Sequence, residues 1–236
     1  MDLNIAQLLG HLIIYIVVFL FAVSIHEAAH AWVSHLWGDD TAYMLGRVTL
    51  NPVAHTDPIG TLLLPIIGFV AGWGGGFVPL MAWGKPTPVN PRNWTDYKWG
   101  NVSVSVAGVT ANFIVVIIAF VIFKVLFITD TVHPNDLIDI VRRQNQGITL
   151  MTPVLLLLWY SLTLNLSLVI FNLLPFPPLD GSGILSSFLP ASFMPVFEMM
   201  EQYGFLILLV LIMTGITGLI MAPFFQILIF FLFRFN

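Results

Sequence analysis

Residues 13–30 read Ile13-Ile14-Tyr15-Ile16-Val17-Val18-Phe19-Leu20-Phe21-Ala22-Val23-Ser24-Ile25-His26-Glu27-Ala28-Ala29-His30. The apolar run around them, Leu9 to Trp37, is long enough to cross a bilayer as one helix. On that helix His26 and His30 are one turn apart and project from one face. Two neutral imidazoles at this spacing can hold one Zn²⁺, with Glu27 beside them as a general base. The bland alternative is a helix end whose polar residues only approach the interface. Ionisable groups are costly at membrane depth, however, so a cluster of three in one turn marks a functional site.

Composition agrees with a membrane chain. The sequence is 58% hydrophobic and 8% charged, with mean hydropathy +0.94. A soluble domain carries about 25% charged residues, so a polytopic membrane protein is expected. No cysteine is present, which excludes disulfides, thiolate zinc sites and cysteine nucleophiles. The net charge of −4 comes with no basic run, so no nucleic-acid partner is expected. The start lacks the Lys/Arg-rich region of a signal peptide, and the first apolar segment itself carries the motif.

Four segments are apolar and long enough to span, at about 9–37, 101–128, 150–176 and 203–233. The last contains Gly204, Gly215, Gly218 and Pro223 and reads as one tilted helix or two with a break near Gly215–Pro223. A fifth stretch, Ile59 to Trp83, holds Pro65, Gly68, Gly72, Gly74-Gly75-Gly76 and Pro79, poor material for a straight helix. It is expected to be re-entrant. Gly46-Arg47-Val48-Thr49-Leu50 and Lys85-Pro86-Thr87-Pro88-Val89-Asn90 read as short strands. The expected fold is an all-α polytopic membrane protein with about four to six transmembrane helices. A re-entrant element and short strands lie between the first two core helices. No connection could house a soluble domain, so residues 1–236 form a single transmembrane domain.

A catalytic zinc usually takes three protein ligands. Glu198 and Glu201 open the last segment, where surface positions are expected. His35 is about 180° from His26 around the helix, and position 36, where a third His would extend the motif, is Leu36. Asp39 and Asp40 are roughly 13–15 Å further along the axis. Asp57 precedes Pro58 and reads as a turn former. Asp180 differs. It ends Asn172-Leu173-Leu174-Pro175-Phe176-Pro177-Pro178-Leu179-Asp180-Gly181, a spanning helix interrupted by three prolines. Broken membrane helices free backbone groups and make room for ion ligands. Asp180 is the expected third ligand, with Asp57 next.

Together these residues resemble the site-2 protease family of intramembrane zinc metalloproteases. His26-Glu27-Ala28-Ala29-His30 fits the first family motif, and Asn172 to Gly181 fits the second. Gly46 to Pro52, His55 to Gly60 and Lys85 to Pro91 look like the small bacterial and archaeal branch. A Gly-Pro-x-x-Asn motif appears as Gly108-Val109-Thr110-Ala111-Asn112, with Val in place of Pro. The PDZ or CBS domains that accompany many members have no room in this chain.

The resemblance implies an intramembrane zinc endopeptidase with one Zn²⁺ per chain on His26, His30 and Asp180. Its substrates would be transmembrane proteins, cut in or near their spans, and the lipid bilayer would be its surroundings. Glu27 would act as base on a zinc-bound water. Asn112 would stabilise the oxyanion or hold substrate backbone; an interhelical hydrogen bond is its bland alternative. His55 and Asn172 would be secondary contacts, Asn172 holding the broken backbone before Asp180. Thr87 and Val89 keep N–H and C=O groups on the edge of their segment that lacks proline, and could pair with an extended substrate. Arg47, Lys85, Arg92 and Lys98 flank the fifth stretch, which places the site nearer the cytoplasmic side of a prokaryotic cell membrane. Two other classes stay open on these residues. A zinc or cation transporter explains the polar site but gives Glu27 no role and predicts a paired repeat that the sequence lacks. A non-catalytic membrane adaptor would keep zinc for structure alone.

Overall fold

A computed structural model describes residues 5–73, 82–142 and 150–234. In chain order the helices are α1 (Ile5–Leu36), α2 (Thr41–Met44), α3 (Pro52–His55), α4 (Leu64–Gly72, led by a π-helical turn Pro58–Leu63), α5 (Tyr97–Ile128), α6 (Pro134–Val141), α7 (Thr152–Asn172), α8 (Asp180–Ser186), α9 (Met194–Met213) and α10 (Ile216–Phe233). Five of these helical stretches are long and apolar enough to cross a membrane: α1, α5, α7, Ala191–Met213 and α10. The final apolar segment is therefore two helices. They meet at Gly215, whose φ of +77° lies in the left-handed region that glycine enters without a Cβ penalty. Pro223 lies inside α10.

The centre of the molecule is α1, α5 and α7. Helix α5 runs antiparallel to α1: the Thr95 N–H just before it donates to Trp37 O just after α1 (2.9 Å). Helix α7 runs parallel to α1, since His11 Nδ1 meets Tyr160 OH at 3.0 Å near their starts while Asp180, beyond α7, reaches His26 and His30. Within a bilayer, burial from water does not drive helices together; close contact of small residues and interhelical hydrogen bonds do. The contact face of α1 fits this, with Ala22, Ser24, Ala28, Ala31 and Ser34 all buried. At the other end of α5 and α7, Phe123, Phe127, Leu137, Leu155, Leu162 and Leu232 close an apolar core.

The excursion between α1 and α5 comes back to where it starts. From Asp57, whose carboxylate accepts the Ile59 and Gly60 N–H groups, the chain descends beside α1. The Phe69 ring lies 4.7 Å from Tyr15, and Trp73 meets His11 edge-on at 5.1 Å. By Trp83 it has returned: the Trp83 N–H donates to Gly60 O and Thr61 Oγ1 donates to Trp83 O. Gly74-Gly75-Gly76 and Pro79 lie outside the described residues.

The two short strands expected from sequence do not form; the described residues contain no strand. Residues 46–50 are instead drawn into a compact turn. The Arg47 guanidinium donates to Ala54 O, and His55 Nε2 donates to Thr49 O (2.9 Å). Residues 82–90 have neither helix nor turn, yet they pair with no strand, because their donors are taken elsewhere. Lys85 N–H goes to His55 O (2.8 Å), Thr87 N–H to the Glu27 carboxylate (2.8 Å) and Asn90 N–H to the Asp39 carboxylate (2.7 Å). The segment is a strap laid along α1.

Asp39 anchors the far end of that strap. It is fully buried and accepts from Ser34 Oγ, Thr41 N–H, Thr41 Oγ1, Asn90 N–H and Asn93 Nδ2. Burial alone would raise its carboxyl; the hydrogen bonds from Thr41, Asn90 and Asn93 outweigh it and hold the group lowered to about 2. A folded-state value below the ordinary 3.8 means that the stabilisation is complete above that pH and fades as pH falls toward 2. Asp39→Asn should lower stability in detergent at pH 7 by about 1–3 kcal/mol, the usual worth of hydrogen bonds to a buried charge. The gap from wild type should close in thermal melts taken at successively lower pH below about 4.

Candidate metal centre

His26 and His30 sit on the face of α1 that packs against α5, and main-chain oxygens decide how they are protonated. Val104 O lies 2.7 Å from His30 Nδ1. A carbonyl only accepts, so His30 carries its proton on Nδ1. His26 Nδ1 meets Asn112 Oδ1 at 2.7 Å. The orientation of Asn112 is set in turn: its Nδ2 donates to Ala22 O (3.0 Å) and to Asn165 Oδ1 (2.7 Å), which leaves the oxygen for His26. His26 is therefore also protonated on Nδ1. Both Nε2 lone pairs are left facing inward.

Asp180 completes the cluster. Helix α7 ends at Asn172, the chain folds through Pro175, Pro177 and Pro178, and Asp180 opens α8. Gly181 permits the fold-back, since a Cβ there would lie 2.4 Å from Leu173 O and 2.5 Å from Leu174 O. Asn101 on α5 fastens α8 by donating to Gly183 O (2.8 Å). Asp180 Oδ2 then lies 3.2 Å from His26 Nε2, Oδ1 lies 3.4 Å from His30 Nε2, and the two Nε2 atoms are 3.0 Å apart.

In the neutral imidazole a proton on Nδ1 leaves Nε2 a lone pair, and Asp180 Oδ2 is a buried oxygen without a hydrogen-bond partner. With both imidazoles neutral, three lone-pair ligand atoms converge within 4.8 Å of one another. What such a set lacks is a cation. A tetrahedral zinc with bonds of about 2.0–2.2 Å spaces its ligands roughly 3.3 Å apart, so the spacing fits. Two imidazoles and one carboxylate are a common catalytic zinc set that leaves a fourth position open. Gly108 on α5 closes the cluster from above; a Cβ there would lie 2.6 Å from both His26 Cε1 and His30 Nε2.

Glu27 faces the strap. Thr87 N–H donates to its Oε2 (2.8 Å), and Thr87 Oγ1 donates to its main-chain oxygen (3.0 Å). A Cβ at Gly84 would lie 3.6 Å from Oε1 and 2.6 Å from Val23 Cγ1, so only glycine fits beside the carboxylate.

A sequence model of peptidase family M50 matches residues 14–215. The chain belongs to peptidase family M50, the site-2 protease family. It is 34% identical over 217 residues to "Putative zinc metalloprotease YwhC" of Bacillus subtilis (strain 168), covering 92% of this chain and 86% of that protein. It is 26% identical over 212 residues to "Putative zinc metalloprotease Rip2" of Mycolicibacterium smegmatis, covering 87% of this chain and 68% of that one. No solved structure matches. Membership in M50, together with five candidate spans, makes this an integral membrane metalloprotease.

The other M50 site residues expected from sequence fall around the centre in ways the sequence does not reveal. Asn112 is fully buried with its oxygen and both amide hydrogens engaged, so it has no donor left for an oxyanion and instead orients His26. His55 is buried and ties residues 49–55 together; it is not among the converging ligands. Asn172 donates to Leu168 O in its own helix. Asp57, the reserve ligand, is spent on the cap of the turn that follows it. Thr87 offers its N–H to Glu27 rather than to an outer edge, and Val89 lies two residues further along the strap, half-buried. Gly108, Gly84 and Asn165 were not singled out from the sequence for the positions they hold. Asn165 alone carried a readable signal, an amide inside an apolar span.

Purified protein should hold zinc in wild type and lose most of it in Asp180→Asn and His26→Ala, by elemental analysis after gel filtration. Gly108→Val should lose it too, because the added methyls displace both imidazoles. Full zinc in Asp180→Asn would assign the third ligand elsewhere.

Proposed function

We propose that this chain is an intramembrane zinc endopeptidase that hydrolyses peptide bonds in or near the transmembrane segments of membrane proteins. The observation that carries the reading is the convergence of His26, His30 and Asp180, with ligand atoms within 4.8 Å of one another, on the helix turn that bears Glu27. His26, His30 and Asp180 would hold one zinc, which would supply Lewis acidity and make water a nucleophile at neutral pH.

Glu27 takes a proton from the attacking water and delivers it to the leaving nitrogen. The strap holds it for this. With Oε2 accepting from Thr87 N–H, the side chain is fixed in one orientation and Oε1 is left for proton transfer. Thr87 is thus a positioning residue. Substrate spans must unwind before a carbonyl can reach the centre, because helix hydrogen bonds hide it. A transporter gives Glu27 no such work.

The experiment is cleavage of a membrane-tethered reporter by purified protein in detergent, with zinc measured in each sample. Glu27→Gln should keep zinc and lose cleavage by about 10²–10⁴-fold, the worth of a positioned general base. Thr87→Pro removes the N–H and should lower kcat with KM and zinc unchanged. A raised KM with unchanged kcat would return Thr87 to a substrate-pairing role.

The whole chain, residues 1–236, then acts as one domain in a prokaryotic cell membrane. Its Pro58–Trp83 excursion is re-entrant, leaving and returning on one face. We place the site nearer the cytoplasm on the grouping of Arg47, Lys85, Arg92 and Lys98 at that end of α1 and α5. Arg142 and Arg234 group near the opposite end of α5. Cysteines introduced at Gly46 and Asn93 should react with an impermeant reagent from the cytoplasmic face and one at Asn135 from the outer face. Reversed labelling would turn the molecule over, and Gly46 and Asn93 on opposite faces would make the excursion a crossing.

A further inference from the structure

Asn165 lies in the middle of α7, 0% exposed, in a helix otherwise built from apolar and hydroxyl side chains around it. Burying an amide in such a place is costly unless every polar atom has work. Its Nδ2 donates to Ser161 O in its own helix (2.8 Å). Since that carbonyl only accepts, Asn165 must present its oxygen to Asn112. Asn112 must then present an N–H to Asn165 and its oxygen to His26. His26 Nδ1 must donate, which in the neutral imidazole leaves Nε2 a lone pair.

We propose that Asn165 is a positioning residue for the metal centre: an amide relay Ser161 O–Asn165–Asn112–His26 carries the polarity of one main-chain carbonyl on α7 to the ligand atom on α1. Each link is directional, and each amide is anchored on a main-chain carbonyl, Asn165 at Ser161 and Asn112 at Ala22. The relay has a second consequence. It joins α7, which leads to Asp180, to the histidine that Asp180 faces at 3.2 Å. The distance between two ligands from separate helices is thereby held by hydrogen bonds rather than by packing alone. Without Asn165, one Asn112 hydrogen is buried without a partner, and the amide is free to shift away from His26. Partners that orient metal-binding histidines are typically worth about 10–100-fold in metal affinity.

This inference rests on the metal-site reading above but not on proteolysis, so its test uses neither substrate nor cleavage. Histidine is labelled with ¹⁵N, and the metal-free protein is examined by NMR, which separates the two neutral tautomers. Wild type should show His26 protonated on Nδ1. Asn165→Leu, similar in size and unable to accept, should show a mixture and bind zinc about tenfold more weakly in chelator competition. Asn165→Asp keeps an oxygen toward Asn112 and should restore the Nδ1 form and most of the affinity. Leu162→Ala, a buried truncation one turn away on α7, should lower stability while leaving tautomer and affinity unchanged.

A wild-type His26 protonated on Nε2 would overturn the relay without recourse to any variant. So would an unchanged tautomer and affinity in Asn165→Leu, or equal losses in Leu162→Ala. If wild type binds no zinc but keeps the Nδ1 tautomer, the relay stands and the metal-site reading falls. If zinc binds and wild type cleaves no membrane-tethered reporter, the protease reading falls and the relay stands.

Discussion

Three main-chain carbonyls, Ala22 O, Val104 O and Ser161 O, determine where the protons of the centre sit. They fix the two imidazoles as Nδ1–H donors toward protein, which in the neutral rings turns the Nε2 lone pairs toward Asp180. Carbonyl oxygens cannot reverse roles, so the arrangement has one polarity. A cluster of acceptors at membrane depth is unstable as such and becomes stable with a cation. The antiparallel packing of α1 on α5, the parallel run of α7 and the broken helix before Asp180 all serve that geometry.

The same economy governs the strap. Backbone N–H groups away from water need partners. Pro86 and Pro88 remove two donors from the segment outright, and Lys85, Thr87 and Asn90 place theirs on His55 O, Glu27 and Asp39. Solving the backbone problem and holding the base are one event, because an acceptor available at that depth is the carboxylate of Glu27. Asp39 performs the structural version of the task a few ångströms past the end of α1, where five donors surround it.

Small residues allow these approaches. Gly108 above the imidazoles, Gly84 beside Glu27 and Gly181 against the carbonyls of α7 each occupy a point where a Cβ would collide. Helices in lipid gain from contact only when they come close, and the centre lies where α1, α5 and the Asp180 loop come closest. Helix α9 meets the rest through Gly204 against Pro177 and Phe205 against Trp83, while α10 lies along the apolar core of α5 and α7 through Ile220, Met221, Phe225, Leu228, Leu232 and Phe233.

Hydropathy placed the spans, because crossing a bilayer demands about 20 apolar residues in a row and nothing else in a protein this size does. The helical repeat placed His26 and His30 on one face, and three prolines before Asp180 showed where a helix must open. All of these are local properties that a short window of sequence contains. The last segment read equally as one tilted helix or as two with a break near Gly215–Pro223, and the left-handed backbone at Gly215 decides for two. The strands were not legible, since an extended segment looks alike whether its partner is a strand or the carboxylates of Glu27 on α1 and Asp39 beyond it. Nor were the tasks of Asn112, Thr87 and Asn165. An amide can donate or accept, and a backbone N–H takes whichever acceptor faces it. Which one it meets is decided by contacts between residues 53 to 90 positions apart in the chain, and only the packing of α1, α5, α7 and the strap supplies those.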